Sequence, residues 1–193
     1  MELTTALLPP QLVPVRDHLP HRLGADEGIL LHSTTLSDLI RLSAAATCPL
    51  ALDLDSVEGL DPGPAAVTFA VERLGIRVLL SRRPALMAWA QQAGCVSLLR
   101  VSCLDSTGFE RALAGHPGPP VGTAISPGLV LAHLAAAQRA RLPRPLLANG
   151  VVRRPEEVTA AREAGADSVV IDPLDTEPKK RDKPGSEGLT GTR

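Results

Sequence analysis

The sequence predicts an α/β fold, a small (β/α)8 TIM-like barrel, from three observations. Eight short apolar runs recur at intervals of about 20 residues, and most are followed by a helical pattern, as in alternating strand and helix around a closed parallel sheet. Residues 145–172, PLLANGVVRRPEEVTAAREAGADSVVID, form a complete strand–helix–strand unit. The 193 residues are 44% hydrophobic, enough for one substantial core.

The strand candidates in order are LVPV (12–15), ILLH (29–32), LALDL (50–54), RVLL (77–80), VSLLRV (96–101), VGTAI (121–125), PLLAN (145–149) and SVVID (168–172). Helical patterns stand between them. Leu36, Leu39 and Ile40 make one apolar face; Pro84 opens RPALMAWAQQAG and Gly94 closes it; Leu129, Leu131 and Leu134 recur along SPGLVLAHLAAAQRA. The last helix opens on Pro155-Glu156-Glu157 and stops at Gly165. Proline fits the first helical turn, acidic residues suit its positive end, and glycine takes the left-handed position that ends it.

Residues 1–173 are expected to form the single barrel domain and 174–193 a disordered polar tail, since LDTEPKKRDKPGSEGLTGTR follows Pro173 and cannot bury enough apolar surface to order itself. No full eighth helix is visible. An open doubly wound sheet is the structural alternative. In the barrel, the place over strands one and eight is covered either by a short first helix or by a partner subunit, which would make a homo-oligomer.

A net charge of -1 argues against nucleic-acid binding by bulk electrostatics. Stacking platforms are scarce too, with Phe69, Phe109 and Trp89 the aromatic residues and no tyrosine. No apolar run is long enough for a bilayer, and MELTTALLPPQL lacks the basic start and unbroken apolar stretch of a signal peptide, so a cytoplasmic location without membrane contact is expected. Cys48, Cys95 and Cys103 lack metal-ligand spacing and read as buried reduced thiols. His18, His21, His116 and His133 read as exposed or satisfied, and KKRDK (179–183) as part of a solvated tail.

Barrel sites form at the carboxyl ends of strands, with phosphates held by the loops after the last two. The polar residues there are Arg16, Asp17, His32, Ser33, Asp53, Asp55, Ser81, Arg82, Arg100, Ser102, Ser126, Asn149, Gly150 and Asp172. A lone charge within a sheet is costly, so Asp53, Asp55 and Arg100 should pair or line a cleft. A structural Asp–Arg network is the plainer of those outcomes. Arg82-Arg83 and Arg153-Arg154 follow strands at the same mouth and are the candidates for RNA or phosphate contact.

The motifs PVRD (14–17), LALDLDSVEGL (50–60), LLSRR (79–83), LLRVSCLDS (98–106), ISPG (125–128) and ANGVVRRPEEVTAAREAGADSVV (148–170) stand in one order. Together they resemble the glycerol uptake operon antiterminator family. The resemblance implies a small barrel that responds to glycerol 3-phosphate or a related phosphorylated metabolite and acts on leader mRNA, without a cofactor, a resident metal or catalytic residues. Carried over by position, the ligand would meet Arg16, Asp17, Asp53, Asp55, Ser81, Arg82, Arg100, Asp105, Ser126 to Gly128, and Asn149-Gly150. Where the family usually has a Ser-Thr-Ser run, this chain has Val170-Ile171-Asp172, a carboxylate at the expected phosphate site, followed by Pro173, which lacks a donor. Two other classes stand beside this reading. One is a metal-assisted phosphoester hydrolase with Asp53 and Asp55 as ligands and His32 nearby. The other is a relic that keeps the fold and has lost ligand binding.

Overall fold

All eight apolar runs are strands, and they close on one another. The computed structural model describes residues 7–107, 109–110 and 121–172. Its strands are β1 (Gln11–Val15), β2 (Glu27–Leu31), β3 (Leu50–Asp53), β4 (Val78–Ser81), β5 (Val96–Ser102), β6 (Gly122–Ser126), β7 (Leu146–Ala148) and β8 (Ser168–Val170). Each pairs in parallel with its sequence neighbours, and β1 closes on β8 through Gln11 opposite Val169 and Leu12 opposite Val170. The sheet is therefore a barrel and not an open doubly wound sheet.

Period-two alternation divides each strand between two faces. One face fills the barrel: Leu12, Leu30, Ala51, Leu80, Leu98, Ala124, Leu147 and Val170, one from each strand, share a single buried cluster. Leu8 joins the same cluster. The other face packs outward, Ile29, Leu31, Leu52, Leu79 and Leu99 in one cluster and Ile125, Leu146, Ala148 and Val169 in another.

Helices cover those outer clusters. In α1 (Leu36–Ala45), Thr35 caps the first turn by accepting the Asp38 N–H at 3.1 Å. Leu39 and Leu42 are its buried residues, whereas Ile40, expected on the apolar face, is exposed. Helix α2 (Pro64–Thr68) runs on as a π-helical turn over Phe69–Arg73. Helix α3 (Pro84–Gln92) starts on its proline, ends before Gly94 and buries Leu86, Met87 and Ala90.

The single helix expected over SPGLVLAHLAAAQRA is two short ones, α4 (Val130–His133) and α5 (Ala136–Arg139). Leu134 and Ala135 between them are extended. Side chains satisfy the backbone at the break: Gln138 Oε1 accepts the Ala135 N–H at 2.9 Å, and the Arg139 guanidinium donates to the Leu134 carbonyl. Helix α6 (Pro155–Glu163) is as its punctuation predicts, with Gly165 at φ +98° just beyond it. Glu157 reaches back to the N–H groups of Arg153 and Arg154, which pulls its carboxyl down to about 2.

Cys95 and Cys103 are buried, but Cys48 is only half-buried, at the foot of β3, where its chain neighbour Pro49 is exposed. Burial pushes all three thiols up. No helix among the described residues is long and apolar enough to cross a membrane. Pro173, the expected tail at 174–193 and His116 lie outside the described residues.

Candidate functional site

The barrel mouth is built by one rule. Continuing the inward face past the last apolar layer gives Arg16, His32, Asp53, Arg82, Arg100, Ser126, Asn149 and Asp172, one polar residue from every strand end. Each lies two residues beyond its strand's inner apolar residue, except Arg16, which lies four beyond because Pro14 intervenes. Alternation thus assembles eight polar groups at one end of the barrel.

Asp53 and Arg100 meet across the throat. Arg100 Nη1 donates to Asp53 Oδ2 at 2.5 Å, with side-chain exposures of 27% and 8%. These residues belong to β3 and β5, so only the barrel interior can bring them together. Burial raises the Asp53 carboxyl above its ordinary range, Arg100 opposes that and Asp55 adds to it. The Arg100 Nε–H is buried without a partner among the described residues.

A belt of hydrogen bonds joins two further strand ends, those of β2 and β4, to this pair. The Ser33 N–H donates to Ser56 Oγ at 2.9 Å, and Ser56 Oγ donates to the Asp53 carbonyl at 3.0 Å. Asp55 accepts the Ser81 hydroxyl at 2.8 Å and the Arg82 N–H at 2.6 Å. Ser81 Oγ in turn accepts the Arg83 N–H at 3.0 Å. Asp53 and Asp55 therefore do not form a free carboxylate pair as a metal-assisted hydrolase would need. Among the described residues no group of three His, Cys, Asp or Glu is placed to hold a metal.

At the β7–β8 corner, Gly150 and Val151 are both left-handed, at φ +79° and +65°. Glycine adopts that conformation freely; a β-branched residue there is strained. The Val151 N–H donates to Asp172 Oδ2 at 2.9 Å, and the Asp172 N–H donates to the Val152 carbonyl at 2.8 Å. Asp172 thus pairs with loop backbone rather than with Arg16 or Arg153. Gly128 fastens the neighbouring loop: its N–H donates to the Gly150 carbonyl at 2.9 Å, and a Cβ on it would lie 3.0 Å from the Ala148 carbonyl carbon and Asn149 N. Replacing Val151, which is half exposed, with glycine is expected to raise stability by about 0.5–1 kcal/mol in urea unfolding, the relieved strain exceeding the added chain entropy.

The arginines of the mouth are not equivalent. Arg154 is tied to Glu156 and Glu157, and Arg83 to the Pro62 carbonyl at 2.7 Å. Arg82 Nε lies 3.5 Å from Asp55. Among the described residues Arg16 and Arg153 make no side-chain hydrogen bond or ion pair. Asp17 is turned outward to His18 Nδ1 at 2.9 Å, and Asp105 is exposed beyond β5. His32, half-buried, has its pKa lowered by burial first and then by Arg16, with Asp172 opposing and Arg100 adding. Periodicity had placed His32 at the mouth; its cationic surroundings required the three-dimensional arrangement.

Two clefts of about 310 and 370 Å³ open at the opposite end of the barrel, one beside Cys95, Gly122 and Arg144, the other beside Cys48, Pro49 and Arg77. Arg144 is already paired with Asp167 at 2.6 Å. Convergent polar groups therefore single out the mouth, not these clefts.

A family model described as glycerol-3-phosphate responsive antiterminator matches residues 28–172. Among solved structures, the chain is similar to a glycerol uptake operon antiterminator regulatory protein from Listeria monocytogenes, at 20% identity and TM-score 0.66, over 74% of this chain and 79% of that one. It is similar to a glycerol uptake operon antiterminator-related protein from Thermotoga maritima at 19% identity and TM-score 0.66, over 84% and 94%. A deoxyribose phosphate aldolase from Aeropyrum pernix shares the fold at 15% identity and TM-score 0.54, over 88% and 86%. At these identities the solved structures speak for the fold alone. No curated protein sequence matches.

Proposed function

We propose a function from one premise: the chain belongs to the glycerol-3-phosphate responsive antiterminator family. It is accordingly a regulator rather than an enzyme. In our reading the barrel mouth is the sensing pocket, and glycerol 3-phosphate or a related phosphorylated metabolite is its ligand. One observation carries this assignment: Val15 opposite Leu31 sets Arg16 beside the half-buried His32, and among the described residues Arg16 has no acidic partner, so a cation is available to an anion at the open end of the barrel.

The other residues take different parts in this reading. Asn149 and Ser126 offer neutral hydrogen-bonding groups. Asp53, Asp55 and Ser81 set the positions of Arg100 and of the loop bearing Arg82, while Gly128 and Gly150 let the β6 and β7 loops approach. Asp172 opposes a phosphate at that corner.

The output is a contact with leader mRNA through Arg82, Arg83, Arg153 and Arg154, of which Arg153 is the one whose guanidinium has no partner among the described residues. Such a contact releases counterions from the phosphates it neutralises. Arg82→Ala with Arg83→Ala is expected to weaken leader-RNA binding and to reduce the slope of log K against log salt by about 1.5. An undiminished slope would remove this pair from the interface. No RNA binding by the unaltered protein would remove the RNA output and favour the relic.

A further inference from the structure

We propose that His32 is a direct contact for the ligand's anionic group and takes up a proton as that group enters the barrel mouth. The proposal rests on the anion-binding reading above and adds a residue and a proton to it. His32 follows the inward-facing Leu30 by two positions, so its ring belongs to the inner polar layer. The neighbouring strand ends beside it, Val15 opposite Leu31, which sets Arg16 next to His32. Nδ1 lies 3.3 Å from Ser33 Oγ, and Nε2 makes no hydrogen bond among the described residues.

The charged groups whose fields reach the ring are Arg16 at the end of β1, Asp172 at the end of β8 and Arg100 on β5, the last already joined to Asp53 of β3. In the free protein burial and then Arg16 lower the ring's pKa from its ordinary value and so favour the neutral form. A neutral imidazole donates from one nitrogen only; the imidazolium donates from both. A dianion set among Arg16, Arg100 and His32 screens the two guanidinium groups and attracts the imidazolium, so it raises the ring's pKa. Nδ1–H then donates to Ser33 Oγ and Nε2–H to the ligand oxygen.

The pKa is low without ligand and raised with it, so binding takes up a proton between those two values, and affinity rises as pH falls through the ligand-bound value. The rise ends near pH 6, where a phosphate monoester itself protonates.

The test is a proton NMR titration of the imidazole Cε1–H signals of the full chain, alone, with inorganic phosphate and with glycerol 3-phosphate. His32→Gln identifies the signal among the five histidines. Should that variant fail to fold, replacing the other histidines one at a time identifies it by elimination. The expected result is an upward move of the His32 midpoint by about one pH unit or more with either anion, and for His32→Gln about tenfold weaker binding at pH 6.5 with a flattened pH dependence. A midpoint unmoved by either anion overturns the proposal. If calorimetry shows glycerol 3-phosphate binding while the midpoint stays, the proposal falls and the sensor reading stands. If inorganic phosphate moves the midpoint and glycerol 3-phosphate does not bind, the proposal stands and the metabolite is wrong.

Discussion

Arg100→Met is expected to lower stability by about 3 kcal/mol at pH 7, the largest loss of any single change at the mouth. Removing one partner of a buried ion pair leaves the other charge uncompensated, which costs about 3–5 kcal/mol. The lower figure applies because the Arg100 side chain is 27% exposed. Thermal unfolding should read this as a fall of roughly 6–12 °C. The deficit also has a pH signature. Asp53 already has a raised folded pKa, and losing Arg100 raises it further. A carboxyl of that kind contributes its full stability below the unfolded value of 3.8 and loses it as pH rises through the folded value. The variant should therefore lie close to the unaltered protein near pH 4 and farthest from it at pH 7. Adding Asp53→Asn should recover most of the loss. A deficit independent of pH, or no recovery in the double variant, would mean that the pair is not the source.

Asp172→Ser is expected to raise affinity for glycerol 3-phosphate about tenfold, which corresponds to about 1.4 kcal/mol. Two unit charges about 4 Å apart repel by about 4 kcal/mol at an effective dielectric of ~20, so relief of a fraction suffices. The substitution also releases the Val151 N–H, now held by Asp172 Oδ2 at 2.9 Å, for a ligand oxygen. The same release costs the free protein about 1 kcal/mol, the net worth of one such hydrogen bond. Calorimetry and urea unfolding on one pair of samples should show the two effects with opposite signs. Unchanged or weaker binding would place the phosphate away from the β7–β8 corner.

Most of the mouth was legible in the sequence because strand alternation is rigid. Once Ala51 and Leu98 are inward, Asp53 and Arg100 must be too, and His32 and Asp172 continue the same alternation just past their strands; the cost of lone charges required Asp53, Asp55 and Arg100 to pair or line a cleft, and the structure pairs Asp53 with Arg100. Helix punctuation was equally readable where proline and glycine supplied it, at Pro84, Pro155 and Gly165. The break between α4 and α5 was not, because alanine and leucine carry no stop signal and the break is satisfied by Gln138 and Arg139 side chains. Nor could spacing show that Asp55 turns to Ser81 and Arg82, that Arg154 is spent on Glu157, or that Val151 is left-handed. Each depends on a partner 20 or more residues away or on a loop backbone that alternation does not govern, apart from Arg154, whose partner lies three residues on but competes with solvent.

The central claim is that the mouth of this barrel binds glycerol 3-phosphate. Thermal unfolding of the full chain with and without that metabolite tests it most directly, since a ligand that binds only the folded state at 100 times its dissociation constant adds about 2.7 kcal/mol. The expected result is a rise of roughly 5–11 °C in Tm, absent with glycerol alone. A Tm that millimolar glycerol 3-phosphate leaves unchanged would contradict the claim.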